Sequence, residues 1–159
     1  MSLRIRKIRS GYRRYPDEPV PMSFPVYFRN FETLTEINLP LAWDSDDLLL
    51  TEVSFEGTRV DSVDYKPVVI NNDEQKVQIN IMPIFSDPIF AGRGLLAKLH
   101  FSVSPTADPA FVAVYDTEIA PAGGLFFVDQ MMEEALGHVL GIVMVLPASS
   151  DKRIERVPV

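Results

Sequence analysis

Two histidines, a run of aspartates and a pair of glycines are the residues of this chain whose types and spacing come nearest to chemistry. His100 and His138 each lie inside a strand-like apolar run. The chain has no cysteine, so a nucleophilic site would need a serine or threonine in an elbow-like turn beside one of these imidazoles, and the sequence offers none. Both histidines therefore read as ordinary sheet residues. Asp44, Asp46 and Asp47 put three carboxylates into four residues, a density that a calcium loop would use. The glycine-bearing loop and distal bidentate glutamate of such a loop are missing. The run reads instead as a turn, in which short acceptor side chains satisfy local N–H groups. Gly92 and Gly94 in AGRG lack the following helix of a phosphate loop and read as a turn as well. None of the 22 acids is marked by its neighbours as buried. No catalysis, metal or cofactor is expected.

The elements that would position any site are strands. Between Lys76 and Val103 two period-two runs flank a connection broken by Pro83, Pro88, Gly92 and Gly94. Val77, Ile79 and Ile81 alternate with Gln78, Asn80 and Met82, and Leu95, Ala97, Leu99, Phe101 and Val103 alternate with Leu96, Lys98, His100 and Ser102. Upstream, Leu3 to Ile8 reads as a charged edge strand, and the aperiodic, proline-rich run from Gly11 to Pro21 as a loop. Val26 and Phe28 face inward in the next strand. Ile37, Leu39, Leu41 and Trp43 oppose Glu36, Asn38, Pro40 and Ala42, with Pro40 marking a bulge or an interrupted ladder. Leu49, Thr51, Val53 and Phe55 form one phase of the run that follows. Val112 and Val114 oppose Phe111, Ala113 and Tyr115. Asp129 to Gly137 carries the signals of a short helix, with Asp129 as N-cap and Gly137 as stop, and residues 138–147 read as a final strand.

Nine or ten short strands with Gly and Pro punctuation predict an all-β fold, a two-sheet β-sandwich of jelly-roll topology with about nine strands and at most one short helix. Trp43, Leu39, Ile79, Ile81, Leu99 and Phe101 should share one core. A single domain over residues 1–148 and a polar tail or linker over 149–159 are expected.

The net charge of −7 is unevenly spread: residues 1–15 hold six of the fifteen bases and no acid. An acidic body repels nucleic acid, and a short basic arm alone gives only weak, salt-sensitive contact, so nucleic-acid binding is not expected. No apolar run approaches the roughly 18 residues of a membrane span, which argues against membrane insertion. No secretory signal opens the sequence.

Five segments resemble, in order and spacing, the cohesin domains that bind dockerin modules: LRIRKIRSG at 3–11, FPVYFRN at 24–30, LTEINLPLAWDSDDLLLTEVSFEG at 34–57, QKVQINIM at 75–82 and RGLLAKLHFSV at 93–103. The resemblance implies a nine-stranded jelly roll without catalysis, and a monomeric protein–protein interaction module in an extracellular or cell-surface scaffold. The implied partner is a dockerin-like domain gripped by one sheet face. On that pattern the partner-binding residues are Glu36 and Asn38 on one strand and Gln78, Asn80 and Met82 on another. Their alternation with Ile37, Val77, Ile79 and Ile81 places them outside the core. A carbohydrate-binding module of similar sandwich fold and a structural spacer are the alternatives. The single Trp43 falls on the apolar face of its strand, which disfavours a row of exposed sugar-stacking aromatics.

Overall fold

Each apolar run buries one face, and the alternation of its side chains decides which. The computed structural model of the chain describes residues 2–5, 18–107, 110–131, 134–136 and 140–145, with side chains described over 18–107 and 111–131. These residues form eleven strand segments and no helix: β1 Ser2–Ile5, β2 Val20–Asn30, β3 Leu34–Trp43, β4 Leu48–Ser54, β5 Val68–Asn71, β6 Lys76–Ile81, β7 Gly92–Val103, β8 Ala110–Asp116, β9 Phe126–Asp129, β10 Glu134–Leu136 and β11 Leu140–Val145. One sheet runs β1-β2-β7-β4. In the other, β5, β6 and β3 lie side by side, and the far edge of β3 is shared by two segments. β8 pairs with Leu41 to Trp43 and β9 with Leu34 to Asn38, both antiparallel to β3. They are successive pieces of one lane, interrupted by residues 117–125. β11 and β10 back them in the same order. The result is a jelly-roll sandwich of nine lanes.

Pro40 sits at the interruption. Its register with β6 runs unbroken through Gln78. On the opposite edge Pro40 O accepts from Thr117 N at 3.2 Å, just where β8 leaves the sheet. Both backbone groups of a strand residue point to the same edge, so the missing N–H of Pro40 faces the gap in the neighbouring lane. The interrupted ladder expected from this proline is therefore on the β8–β9 side.

The link between Ile81 and Gly92 carries the chain from one sheet to the other, so β6 and β7 cover one another rather than sharing a sheet. Trp43, Leu39, Ile79, Ile81, Leu99 and Phe101 are all buried between the layers. Aromatic rings tie the layers together. Phe101 of β7 meets Phe24 edge-on at 5.4 Å and Trp43 of the facing sheet at 5.3 Å, and Phe28 stacks on Phe127 at 5.3 Å. The Trp43 indole N–H donates to Leu48 O at 3.3 Å, so the buried ring leaves no unpaired donor.

Four sequence expectations change. The segment that carried helix signals is a hairpin: β9 ends at Asp129, β10 begins at Glu134, and Asp129 Oδ1 accepts from Met131 N at 2.8 Å in an Asx turn. So short a helix is marginal alone, and the open edge of β9 offers a ladder instead. The loop expected to end at Pro21 ends earlier, since Val20 and Pro21 already pair with Val103 and Ser102. β1 pairs with Val26 to Arg29, and among the described residues no strand lines that edge of the earlier half of β2, which is where a proline is tolerated. In β4 a bulge between Leu50 and Glu52 switches the phase. Leu48 and Leu50 are buried, Leu49 and Thr51 exposed, and Val53 turns back toward the core. In β7 the opposing register shift puts Leu96, not Leu95, in the core. Residues 6–17, His138 and the tail from 149 lie outside the described residues.

Candidate functional site

On the outer face of the β5-β6-β3 sheet, register brings the polar residues of neighbouring strands together. Asn38 is directly opposite Asn80, and Pro40 opposite Gln78. Their amides form a closed cluster. Asn38 Oδ1 accepts from Gln78 Nε2 at 2.5 Å and from Asn80 Nδ2 at 2.8 Å. Gln78 Nε2 also donates to Asn80 Oδ1 at 3.3 Å. Asn38 Nδ2 donates to Gly124 O at 2.7 Å and Ala122 O at 3.3 Å, which pins the 117–125 excursion across the face of β3. Gln78 Oε1 is buried without a hydrogen-bond partner among the described residues.

This arrangement corrects the sequence reading of the face. Asn38 is completely buried beneath the excursion and Gln78, bonded to it, nearly so, while Glu36, Asn80 and Met82 are half-buried. Strand alternation identified residues that point away from the core, but it could not show that a distant segment would close over Asn38. The structure brings Asn38, Gln78 and Asn80 into one cluster. Met82 lies just past the end of β6, where its N–H donates to Tyr65 O at 2.9 Å, and Glu36 is opposite Val128 on β9.

Exposed apolar side chains flank the cluster. On one side Val69 of β5 stands opposite Gln78 with 65 % of its surface open, and Tyr65 is exposed beside Met82. On the other, Phe111 is 74 % exposed and Tyr115 shares its face of β8. Beyond Met82 the chain turns through Ile84 and Phe85, the latter 93 % exposed. The turn is held by the Asp64 carboxylate, which accepts from Ser86 Oγ at 2.6 Å and from the N–H groups of Ile84, Phe85 and Ser86 at 3.0 to 3.1 Å. The Ser86 hydroxyl, with the N–H groups of Phe85 and Ser86, pulls the Asp64 pKa down to about 2. A large apolar side chain is thus presented on a stitched turn beside the sheet edge. Tyr65, Val69, Ile84 and Phe85 were missed in the sequence. Their signals were legible all the same: Val69 takes the non-core phase of its strand, and two large apolar residues stand between prolines in a segment that cannot enter a sheet.

The opposite sheet carries the described histidine. His100 Nδ1 lies 2.6 Å from Ser23 Oγ and Nε2 lies 2.7 Å from Ser54 Oγ. Both ring nitrogens meet hydroxyls, so the ring is oriented by two neutral side chains of neighbouring strands. The trio laces β2, β7 and β4 together. The aspartates of the 44–47 turn bond distant segments rather than the local N–H groups expected of them: Asp44 Oδ1 accepts from Ala113 N at 2.7 Å and Asp46 Oδ1 from the Gln75 amide, while the local acceptor is Ser45 Oγ, which takes Asp47 N at 3.3 Å.

Solved structures of cohesin domains have this fold. The matching chain of the OlpA type I cohesin–dockerin complex from Clostridium thermocellum is 14% identical, with a TM-score of 0.67 over 90% of this chain and 98% of that one. For the OlpC complex from the same organism the values are 14%, 0.69, 91% and 92%. For the solution structure of CaCohA2 from Clostridium acetobutylicum they are 16%, 0.59, 91% and 91%. No protein-family model and no curated protein matches the chain. At these identities the likeness is one of fold.

Proposed function

We propose that the outer face of the β5-β6-β3-β8/β9 sheet docks a dockerin-type protein domain, and that the chain is a non-catalytic interaction module of an extracellular or cell-surface scaffold. The observation that carries this reading is the set of exposed apolar residues around a rigid, hydrogen-bonded centre: Tyr65, Val69 and Phe85 on one flank, Phe111 and Tyr115 on the other. Apolar surface gathered on one face favours a partner that removes it from water, and aromatic anchors dominate the energy of such interfaces. The buried amide cluster and the Asp64 stitch hold the face in shape, so little ordering cost is left for binding. Glu36, Asn80 and Met82 lie on the contact surface, whereas Asn38 and Gln78 support it from beneath. The sandwich over residues 1–148, followed by a tail, remains the proposed division of the chain.

Calorimetric titration against the dockerins encoded by the same genome tests this. At least one should bind, and the double substitution of Val69→Ser and Phe85→Ser should weaken it at least tenfold without changing the melting temperature. Binding to none of them, or an affinity indifferent to the double substitution, contradicts the proposal.

A further inference from the structure

On the other sheet, at the end where β2 leaves and β7 enters, Arg29 and Arg93 stand directly opposite each other in register. Both are exposed, and neither joins an ion pair among the described residues. Like charges directly across a strand pair repel, so this pairing disfavours the free state unless an anion lies between them. Between them lies a depression of about 400 Å³, lined by Arg29, Asn30, Phe31, Ala91, Gly92 and Arg93. Phe31 is an exposed ring at its rim, and the Arg29 guanidinium lies 4.5 Å from that ring's centroid.

A third cation stands behind the wall. Arg59 donates to Asn30 Oδ1 at 2.9 Å, Gly92 O at 3.1 Å and Phe90 O at 2.7 Å. These acceptors are neutral, so the charge of Arg59 is not cancelled. A Cβ on Gly94 would stand 2.9 Å from Arg59 Cδ, which is why the arginine can lie so close along this strand. Asn30 spends its amide N–H groups on the carbonyls of Glu32, Ile89 and Phe90 and acts as a buttress. Glu32 is exposed beside Phe31 and pairs with neither arginine. The result is a local surplus of guanidinium charge on a chain whose net charge is −7.

We propose that this depression is a second binding site, for a uronic-acid unit of an acidic polysaccharide. Two guanidinium groups rising from opposed positions suit one planar carboxylate, which each can approach through paired N–H donors. The Phe31 ring beside them offers an apolar platform for the C–H face of the sugar that bears the carboxylate, a contact that a bare anion cannot make. The site lies on the sheet opposite the proposed protein-docking face, so both can be occupied at once.

The test is calorimetry on the full chain with trigalacturonate, its methyl ester, inorganic phosphate and a pentaglutamate peptide. Trigalacturonate should bind, with the other three at least tenfold weaker. Arg93→Gln and Phe31→Ala should each weaken it fivefold or more with the melting temperature unchanged, while Lys98→Gln on the same sheet should change it less than twofold. The proposal is overturned if the ester binds as well as the acid, if phosphate or the peptide matches it, if Arg93→Gln and Phe31→Ala leave the affinity alone, or if Lys98→Gln weakens it equally.

Discussion

The two outward faces of the sandwich treat polar groups in opposite ways. On the β5-β6-β3 face Asn38, Gln78 and Asn80 are turned into a closed amide cluster, and the side chains most open to water are Val69, Tyr65, Phe111 and Tyr115, with Glu36, Asn80 and Met82 half-buried. On the β1-β2-β7-β4 face the polar groups stay outside: Ser23, His100 and Ser54 bond across three strands, and Arg29, Arg93 and Lys98 follow them along the sheet. Leu49 and Tyr27 are the exposed apolar residues among these charges and hydroxyls. The face proposed above for docking hides polar groups and shows apolar ones, the arrangement that favours losing water to a partner.

The comparison can be broken most severely through the core that both faces share. Phe101→Ala removes the ring between Phe24 and Trp43 and should cost about 3–5 kcal/mol in denaturant unfolding. A loss under about 1 kcal/mol would show that the two sheets do not depend on one aromatic cluster. Next in size is Asn38→Ala, which strips Asn80 Nδ2 of its acceptor, leaves Gln78 Nε2 only the longer bond to Asn80 Oδ1, and unpins the excursion. It should cost about 1–3 kcal/mol. The matching change on the other sheet, His100→Ala, opens its serines to solvent and should cost less than about 1 kcal/mol. Equal losses at the two sites would erase the distinction between the faces. Gln78→Leu should be nearly neutral, within about 0.5 kcal/mol, because it removes an unsatisfied acceptor while Asn38 Oδ1 keeps Asn80 as donor.

The subtlest effect is in pH. Asp64 has a folded pKa of about 2 against an ordinary 3.8, so its contribution is complete above about pH 4 and is lost as pH falls through 2. The difference in melting temperature between the wild type and Asp64→Asn should therefore be constant above pH 4 and close between pH 4 and 2. A gap that stayed open to pH 2 would mean that the carboxylate charge does not hold the Ile84–Phe85 turn.

Much of the fold was legible because period-two runs announce which face is buried. Trp43, Ile79 and Phe101 were placed correctly on that ground alone, and Pro40 marked the broken lane. What could not be read was long-range covering. Asn38 is buried by carbonyls 84 and 86 residues away, and no local pattern carries that information. Asp129 misled for a related reason: an aspartate that bonds an N–H two residues on looks the same at a helix start and at a hairpin turn, and pairing with β9 decided the matter. The phase of β4 was lost at a bulge, which inserts one residue without a sequence mark strong enough to locate it.

The central claim, that one face is for protein and the other is not, is met most directly by amide hydrogen exchange with and without a bound dockerin. Protection should rise in β3, β5, β6 and the 83–86 turn, while β4 and the Ser23–His100 region of β2 and β7 stay unchanged. Protection confined to β4, β7 and β2 would place the partner on the opposite sheet and contradict the account.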